Sequence, residues 1–224
     1  RIIASMARMS RRIDQAKAER KESRKAPKFS PGGQSTQMIV GADQSTDATI
    51  LGQSTSLYQG YKLRRVYYSA FSPIPDATAK LPLVKPPLIR EHRLYQADWL
   101  LRFYGFSVGE IMQGADAGQL DLSIDPKTAW ALRNRHMFPV DINRAPREML
   151  LRVPGLGAKS VHRILSTRRF ARLRLEDLAR IVRSTKLILP FVCLADWHPS
   201  HRLDDPLLGV HLRKPVQQLD LFAA

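Results

Sequence analysis

Hydrophobic and polar positions change pattern repeatedly along the first third of the chain. Apolar side chains recur at helical spacing over residues 2–13, and residues 37–42 form a nearly continuous apolar run that is typical of a buried parallel strand. Residues 45–58 return to helical spacing after a Ser-Thr-Asp start, and residues 66–71 have the composition of a second strand. This order of strand, helix and strand indicates part of a parallel α/β sheet or barrel.

Farther along, a glycine-bounded turn joins two amphipathic stretches. Met149, Leu150 and Val153 form the apolar stripe of the first, and the segment from Val161 to Leu165 forms that of the second. Asn143 is expected to cap the first helix, with Pro146 in its first turn. The turn and its flanks have the sequence Val153-Pro154-Gly155-Leu156-Gly157-Ala158-Lys159-Ser160.

The composition of this turn favours the binding of a phosphate. Gly155 and Gly157 are expected to adopt torsions forbidden to other residues, so that N–H groups at the start of the second helix converge on one anion. An ordinary packing corner with a glycine at the end of the helix is the alternative. The predicted DNA-binding residues are Gly155, Leu156, Gly157, Ala158, Lys159, Ser160, His162 and Arg163.

The whole segment, residues 141–168, resembles the helix-hairpin-helix module of DNA repair proteins, in which a Pro-Gly-apolar-Gly hairpin holds the DNA backbone without reading bases. The charge of the chain favours the same partner. Its 36 Lys and Arg residues exceed its 20 Asp and Glu residues, which gives a formal charge of +16 and a pI near 10.5. Such a balance is typical of nucleic-acid-binding proteins.

Other classes of protein fit the sequence less well. An anionic membrane would also attract this charge, but no apolar run reaches the length of a membrane span and no signal-peptide pattern is present. We therefore expect a soluble, cytoplasmic protein. Cys193 is the only cysteine in the sequence, which excludes an internal disulfide and any metal site that needs several thiolates from this chain.

Four segments, residues 33–42, 67–71, 90–102 and 138–146, resemble the carboxyl half of the radical SAM proteins assigned to DNA modification and repair. The resemblance implies a partial TIM-type α/β barrel over residues 1–104. A mostly helical domain over residues 105–200 would contain the helix-hairpin-helix, and a flexible tail would occupy residues 201–224.

The same resemblance implies S-adenosylmethionine and a [4Fe-4S] cluster in a complete protein. The three-cysteine cluster motif of the family is absent here. Because the chain opens on Arg1 with a helical pattern already under way, we expect that it begins inside a longer protein. We also expect that this chain alone binds neither group stably and is inactive.

Residues 37–44 correspond to the family strand of the type G-x-I-x-G-x-x-E, which approaches the cofactor. Ile39 and Gly41 fit that pattern, whereas Gln37 replaces the first glycine and Gln44 replaces the acid. Without the resemblance, Gly41 is a strand-end glycine before a helix. The residues expected to border S-adenosylmethionine are Ile39, Gly41, Tyr67 and Ser69.

Three other functions remain open from the sequence. The chain would act as a non-catalytic DNA-repair adaptor if its α/β segment is only a scaffold. A hairpin-type DNA glycosylase would use Lys159 as nucleophile and Asp177 as its partner, although the residues around Asp177 are typical of a helix start. The spacing of Cys193, Asp196, His198 and His201 permits a zinc site, although incidental surface histidines are the more common explanation.

The end of the sequence resembles the bacterial sliding-clamp-binding peptide, Gln-Leu-Asp/Ser-Leu-Phe. In that interpretation two side chains, Leu221 and Phe222, would fill an apolar pocket of the clamp. The alternative is that the same side chains pack on the helical domain as an ordinary terminal strand. The predicted partner-binding residues are Gln218, Leu219, Asp220, Leu221 and Phe222.

Overall fold

The computed structural model describes residues 2–73 and 81–213. It divides the chain into two compact units, Arg1–Tyr95 and Gln96–Ala224, with the division inside a helix. No helix within the described residues has both the length and the apolar character needed to cross a membrane.

The first unit is a strand-helix-strand motif preceded by a long helix. Its elements are α1 (Ile2–Glu22), β1 (Ser35–Val40), α2 (Asp47–Tyr61), β2 (Arg65–Ala70) and the start of α3 (Leu88–Phe103). The second unit contains the end of α3 and the elements α4 (Val108–Met112), α5 (Pro126–Arg133), β3 (Val140–Asp141), α6 (Arg147–Arg152), α7 (Ala158–Thr167), α8 (Leu175–Ile181), β4 (Val192–Cys193) and α9 (Leu208–Leu212).

Strands β1 and β2 are parallel, with Ile39 opposite Ser69 in the register. Burial alternates along both strands, so one face of the sheet is buried and carries Val40, Val66 and Tyr68. Helix α2 begins where the Thr46 side chain accepts a hydrogen bond from the Thr49 N–H group at 3.2 Å. The predicted order of strand, helix and parallel strand is therefore confirmed.

The start of α3 closes the outer edge of β2 through side chains. The Tyr95 hydroxyl accepts a hydrogen bond from the Tyr68 N–H group and donates one to the Tyr68 carbonyl, both at 3.0 Å. Glu91 accepts a hydrogen bond from the Ala70 N–H group at 2.8 Å. These bonds satisfy backbone groups that another strand would otherwise pair.

The second unit is built around helices and a line of aromatic rings. Phe106, Trp130, Phe138 and Phe191 make successive edge-to-face contacts, with ring centroids 5.3, 6.3 and 5.1 Å apart. Aliphatic side chains from α6, α7 and α8 complete the core. The fully buried ones include Leu150, Val153, Leu156, Val161, Ile164 and Leu178.

The expected partial TIM-type barrel is wrong. About 51% of the described residues are helical, and these residues form two parallel sheets of two strands each. A barrel strand is covered on both faces, which is what the apolar run at residues 37–42 suggested. In the structure Ile39 on β1 and Tyr67 on β2 are 48% and 45% exposed, so one face of this sheet lies open.

Candidate nucleic-acid interface

The predicted hairpin is formed by α6, α7 and the four residues between Val153 and Ala158. Val153 is the C-cap residue of α6, and the Leu156 N–H group donates to the Val153 carbonyl at 3.2 Å, which closes the turn. The Leu156 side chain is buried beneath the turn. The turn is thus anchored in the core by the apolar residue between its two glycines.

Gly155 meets the expectation that the turn requires a glycine. Its φ is +81°, in the left-handed region that residues with a Cβ avoid. A Cβ at this position would also lie 2.8 Å from Cγ1 of the buried Ile188. Both backbone conformation and packing therefore require glycine at position 155.

Gly157 differs from the expectation, because its φ of −89° and ψ of 162° are open to any residue. It is the N-cap of α7, and the Val161 N–H group donates to its carbonyl at 2.9 Å. A glycine has no side chain with which to accept hydrogen bonds from the first turn. The N–H groups of Ala158, Lys159 and Ser160 therefore begin α7 without a side-chain cap.

Basic side chains surround this uncapped helix start. Lys159, His162 and Arg163 are exposed. A groove of about 560 Å³ lies beside them, between α7 and the chain that follows α8. Its lining residues are Gly155, Lys159, Ser160, Arg163, Ile181, Val182, Arg183, Ser184 and Leu187. This lining carries three cationic side chains and no carboxylate, so an anion fits the groove.

The support of the hairpin differs from the sequence prediction at Asn143. Pro146, and not Asn143, occupies the N-cap position of α6. The Asn143 amide instead holds a second connection, because it donates to the Leu173 carbonyl at 3.1 Å and accepts from the Leu173 N–H group at 2.7 Å. Arg168 likewise stabilises the loop before α6, because it donates to the carbonyls of Ile142 and Ala145 at 2.9 and 2.7 Å.

Arg152, the last residue of α6, is paired with other side chains of the protein and is not a free cation. It donates to the Glu110 carboxylate at 2.7 Å and lies over the Phe106 ring at 4.7 Å from its centroid. Burial alone would raise the pKa of Glu110, but the hydrogen bonds from Arg152 and Ser107 hold that pKa below its usual value. This pair fixes the end of α6 relative to α4.

Sequence reasoning missed Lys127, at the start of α5. Its side chain is buried, with 7% of the residue exposed, and its Nζ donates to the Leu156 carbonyl at 2.6 Å. Nζ also lies 4.8 Å from the centroid of the Tyr104 ring. Burial lowers the pKa of Lys127 to about 7, and the Asp125 carboxylate opposes that shift. No local pattern signals this burial, because the contacts come from distant segments.

Three of the four residues expected to border S-adenosylmethionine lie on one face of the β1–β2 sheet, and the fourth, Gly41, follows β1. Ile39, Tyr67 and Ser69 share the exposed face of the β1–β2 sheet, where Gln37 donates to the Ser69 hydroxyl at 2.6 Å. Gly41 has a φ of +79°, and a Cβ there would lie 2.8 Å from Pro86. Pro86 already fills the space that the glycine leaves, as in the alternative of a strand-end glycine.

The single cysteine does not fit an iron–sulfur cluster. Cys193 is half-buried on β4. Burial, and after it the Asp141 carboxylate, raises the pKa of its thiol, so the thiolate that a cluster needs is disfavoured. Within the described part of the chain, no group of three or more His, Cys, Asp or Glu side chains is placed to hold a metal ion.

The remaining candidates have local structural roles. Lys159 is exposed, whereas a lysine nucleophile requires a dry pocket. Asp177 accepts from the Arg174 N–H group at 3.0 Å at the start of α8, and Asp196 accepts from the Leu175 N–H group at 2.9 Å. His198 accepts from the Ser200 N–H group at 3.1 Å.

The clamp-like peptide, residues 218–222, lies outside the described residues.

Comparisons of the chain with protein-family models, with curated proteins and with solved structures find no match.

Proposed function

We propose that this chain binds the phosphate backbone of duplex DNA, without sequence preference, through the α6–α7 hairpin. The uncapped start of α7 supports the proposal most directly. Its free N–H groups and the positive end of the helix dipole both favour an anion.

The groove beside the hairpin extends this anion site. Lys159 and Arg163 lie on its α7 side, and Arg183 follows α8 on the other side. Because the groove lining has no carboxylate, the three cations are available to neighbouring phosphates of one strand. Contacts of this kind position DNA but carry no sequence information. The proposed role is therefore sequence-independent DNA binding, of the type needed by a protein of DNA modification or repair.

The test is fluorescence anisotropy with two duplexes of unrelated sequence across a salt series. We expect similar affinity for both duplexes. Lys159→Ala should weaken both to the same extent and make the slope of log K against log salt shallower by about one, as expected for one lost phosphate contact. Absence of duplex binding by the wild-type chain at low salt would overturn the proposal.

Arg180→Ala is the matched control. Arg180 is an exposed cation on α8, and it is paired with Glu176 outside the groove. Its removal lowers the net charge by the same amount as Lys159→Ala. We expect little change in the salt slope, so equal effects of the two substitutions would indicate attraction by overall charge and not binding at the hairpin.

A further inference from the structure

Lys127 lies against the hairpin turn. Its ammonium donates to the Leu156 carbonyl at 2.6 Å and lies against the Tyr104 ring. The Asp125 carboxylate acts on Lys127 through space. Burying an ammonium with so little compensation is costly, since a charge loses its hydration in the interior. An apolar side chain would fill this place at lower free-energy cost, so packing alone does not explain a lysine here.

The lysine can act on the peptide group between Leu156 and Gly157. The Leu156 carbonyl and the Gly157 N–H group belong to the same planar unit, and the bond is trans, so the two groups point in opposite directions. A hydrogen bond that holds the carbonyl toward Lys127 therefore holds the Gly157 N–H group away from it, toward the outer side of the turn. A charged donor on the carbonyl also polarises the peptide and strengthens its N–H group as a donor.

We propose that Lys127 is a positioning residue for phosphate binding: its ammonium fixes the Leu156–Gly157 peptide so that the Gly157 N–H group faces the DNA phosphate, and its charge stabilises that phosphate from behind the turn. This inference rests on the proposed binding of DNA at the hairpin. It assigns Lys127 an indirect role, through the backbone, and no contact with the nucleic acid.

Protonation of Lys127 is then linked to DNA binding. Because burial brings the pKa of Lys127 to about 7, the free protein loses this positive charge as the pH rises through neutrality. A phosphate on the other side of the turn favours the ammonium and raises the pKa in the complex. The charged form therefore binds DNA more tightly, and affinity falls between the pKa of the free protein and that of the complex.

The elements near Lys127 carry other titratable and charged groups. Asp125 belongs to the start of α5, and the segments packed around it contribute the rest. The groups that have to be considered are Tyr104, Glu110, Asp125, Arg152, Lys159 and His162. All six are retained when Lys127 is replaced by methionine. The difference between the wild-type and Lys127→Met profiles therefore isolates the contribution of Lys127.

The experiment measures duplex affinity by anisotropy from pH 6 to pH 8.5 for the wild-type chain and Lys127→Met. If DNA raises the pKa of Lys127 by one unit, wild-type affinity should fall about five- to tenfold more than that of the variant over this range. Parallel profiles would overturn the role of Lys127 while leaving hairpin binding in place. Loss of all wild-type binding at pH 6 would instead overturn the proposed function, and the inference with it.

A direct titration keeps the inference testable even if Lys127→Met fails to fold. Lysine labelled with ¹³C at Cε reports the protonation of Lys127 by NMR in the wild-type protein. We expect its midpoint to rise on addition of a duplex oligonucleotide, and to rise less in the Lys159→Ala variant. An unchanged midpoint at saturating duplex would contradict the proposed coupling.

Discussion

Gly155 and Gly157 look equivalent in the sequence, but the backbone uses them differently. Gly155 is held at a positive φ against Ile188, and Gly157 is an extended N-cap residue. We expect Gly155→Ala to lower the free energy of unfolding by at least about 1 kcal/mol, because the left-handed conformation penalises a Cβ. Chemical denaturation measures the change, and an unchanged midpoint with an unchanged m-value would contradict it.

Gly157→Ser tests the start of α7, and it is expected to affect DNA binding without lowering stability. Serine is among the best N-cap residues and suits the observed φ and ψ, so stability should be equal or higher by up to about 1 kcal/mol. Its hydroxyl would then accept hydrogen bonds from N–H groups that we assign to phosphate. We expect weaker duplex binding by a fully folded protein. Binding equal to wild type would show that the start of α7 does not contact the DNA.

Because the pKa of Lys127 is lowered by burial, we expect the free energy of unfolding to depend on pH. Its pKa is lower in the folded chain than in the unfolded chain, so between about pH 7 and pH 10 the unfolded state binds more protons. Folding stability therefore gains from a rise in pH over this window. The slope is at most about 1.4 kcal/mol per pH unit. Between pH 7 and pH 9, wild type should gain stability relative to Lys127→Met in guanidinium unfolding, and a constant difference would contradict the lowered pKa.

The sequence predicts these residues to different degrees. Gly155 was identifiable because few residues other than glycine adopt its backbone conformation in a tight turn. Lys127 was not, since an Asp-Pro-Lys start predicts a helix with a solvated lysine, and the burial depends on Tyr104 and Leu156. Asn143 was predicted to cap α6, but Pro146 holds that position and the Asn143 amide bonds to the Leu173 backbone, because residues that favour helix caps also bond to distant backbone.

At the scale of elements, the groove lies between α7 and the chain that follows α8. Arg163 and Arg183 line it from opposite sides. We expect Arg183→Ala to weaken duplex binding as Arg163→Ala does, and each to make the salt slope shallower by about one. The double variant should lose about two. Arg180→Ala again serves as the control for charge, and a normal salt slope in Arg183→Ala would restrict the contact to the hairpin.

The start of helix α2 was predicted from the Ser-Thr-Asp pattern, and the Thr46 side chain caps it. Its end was not predicted, because the C-cap residue Lys62 adopts a left-handed φ of 52° that is more typical of glycine. Strands β1 and β2 follow from their apolar runs. The barrel could not be derived from those runs, because a run of apolar residues does not specify how many strands join a sheet. In the described chain, α3 side chains cover the edge of β2.

At the scale of the whole molecule, net charge complicates the interpretation of any binding experiment. A formal charge of +16 attracts every polyanion, so affinity alone does not identify the hairpin as the contact. Substitutions that remove one charge at chosen places separate general attraction from a defined site. The salt slope and the paired controls are therefore more informative than a single dissociation constant.

The peptide at residues 218–222 would give the molecule a second, independent means of reaching DNA. Gln218, Leu221 and Phe222 match the pattern of the bacterial clamp-binding peptide. A short peptide that orders on binding loses conformational entropy, so we expect a weak contact with the clamp. Tethering to a clamp that encircles DNA would raise the effective concentration of the hairpin near the duplex, even if each contact is weak.

Calorimetry with a bacterial sliding clamp tests this prediction, using the intact chain and a chain truncated before Gln218. We expect binding by the intact chain and none by the truncated chain. A double substitution, Leu221→Ala with Phe222→Ala, should abolish binding without changing the length of the chain, because these apolar side chains are expected to supply most of the buried surface. Both variants should bind duplex DNA as wild type does. Undetectable clamp binding by the intact chain, or equal binding by the intact and truncated chains, would refute the assignment.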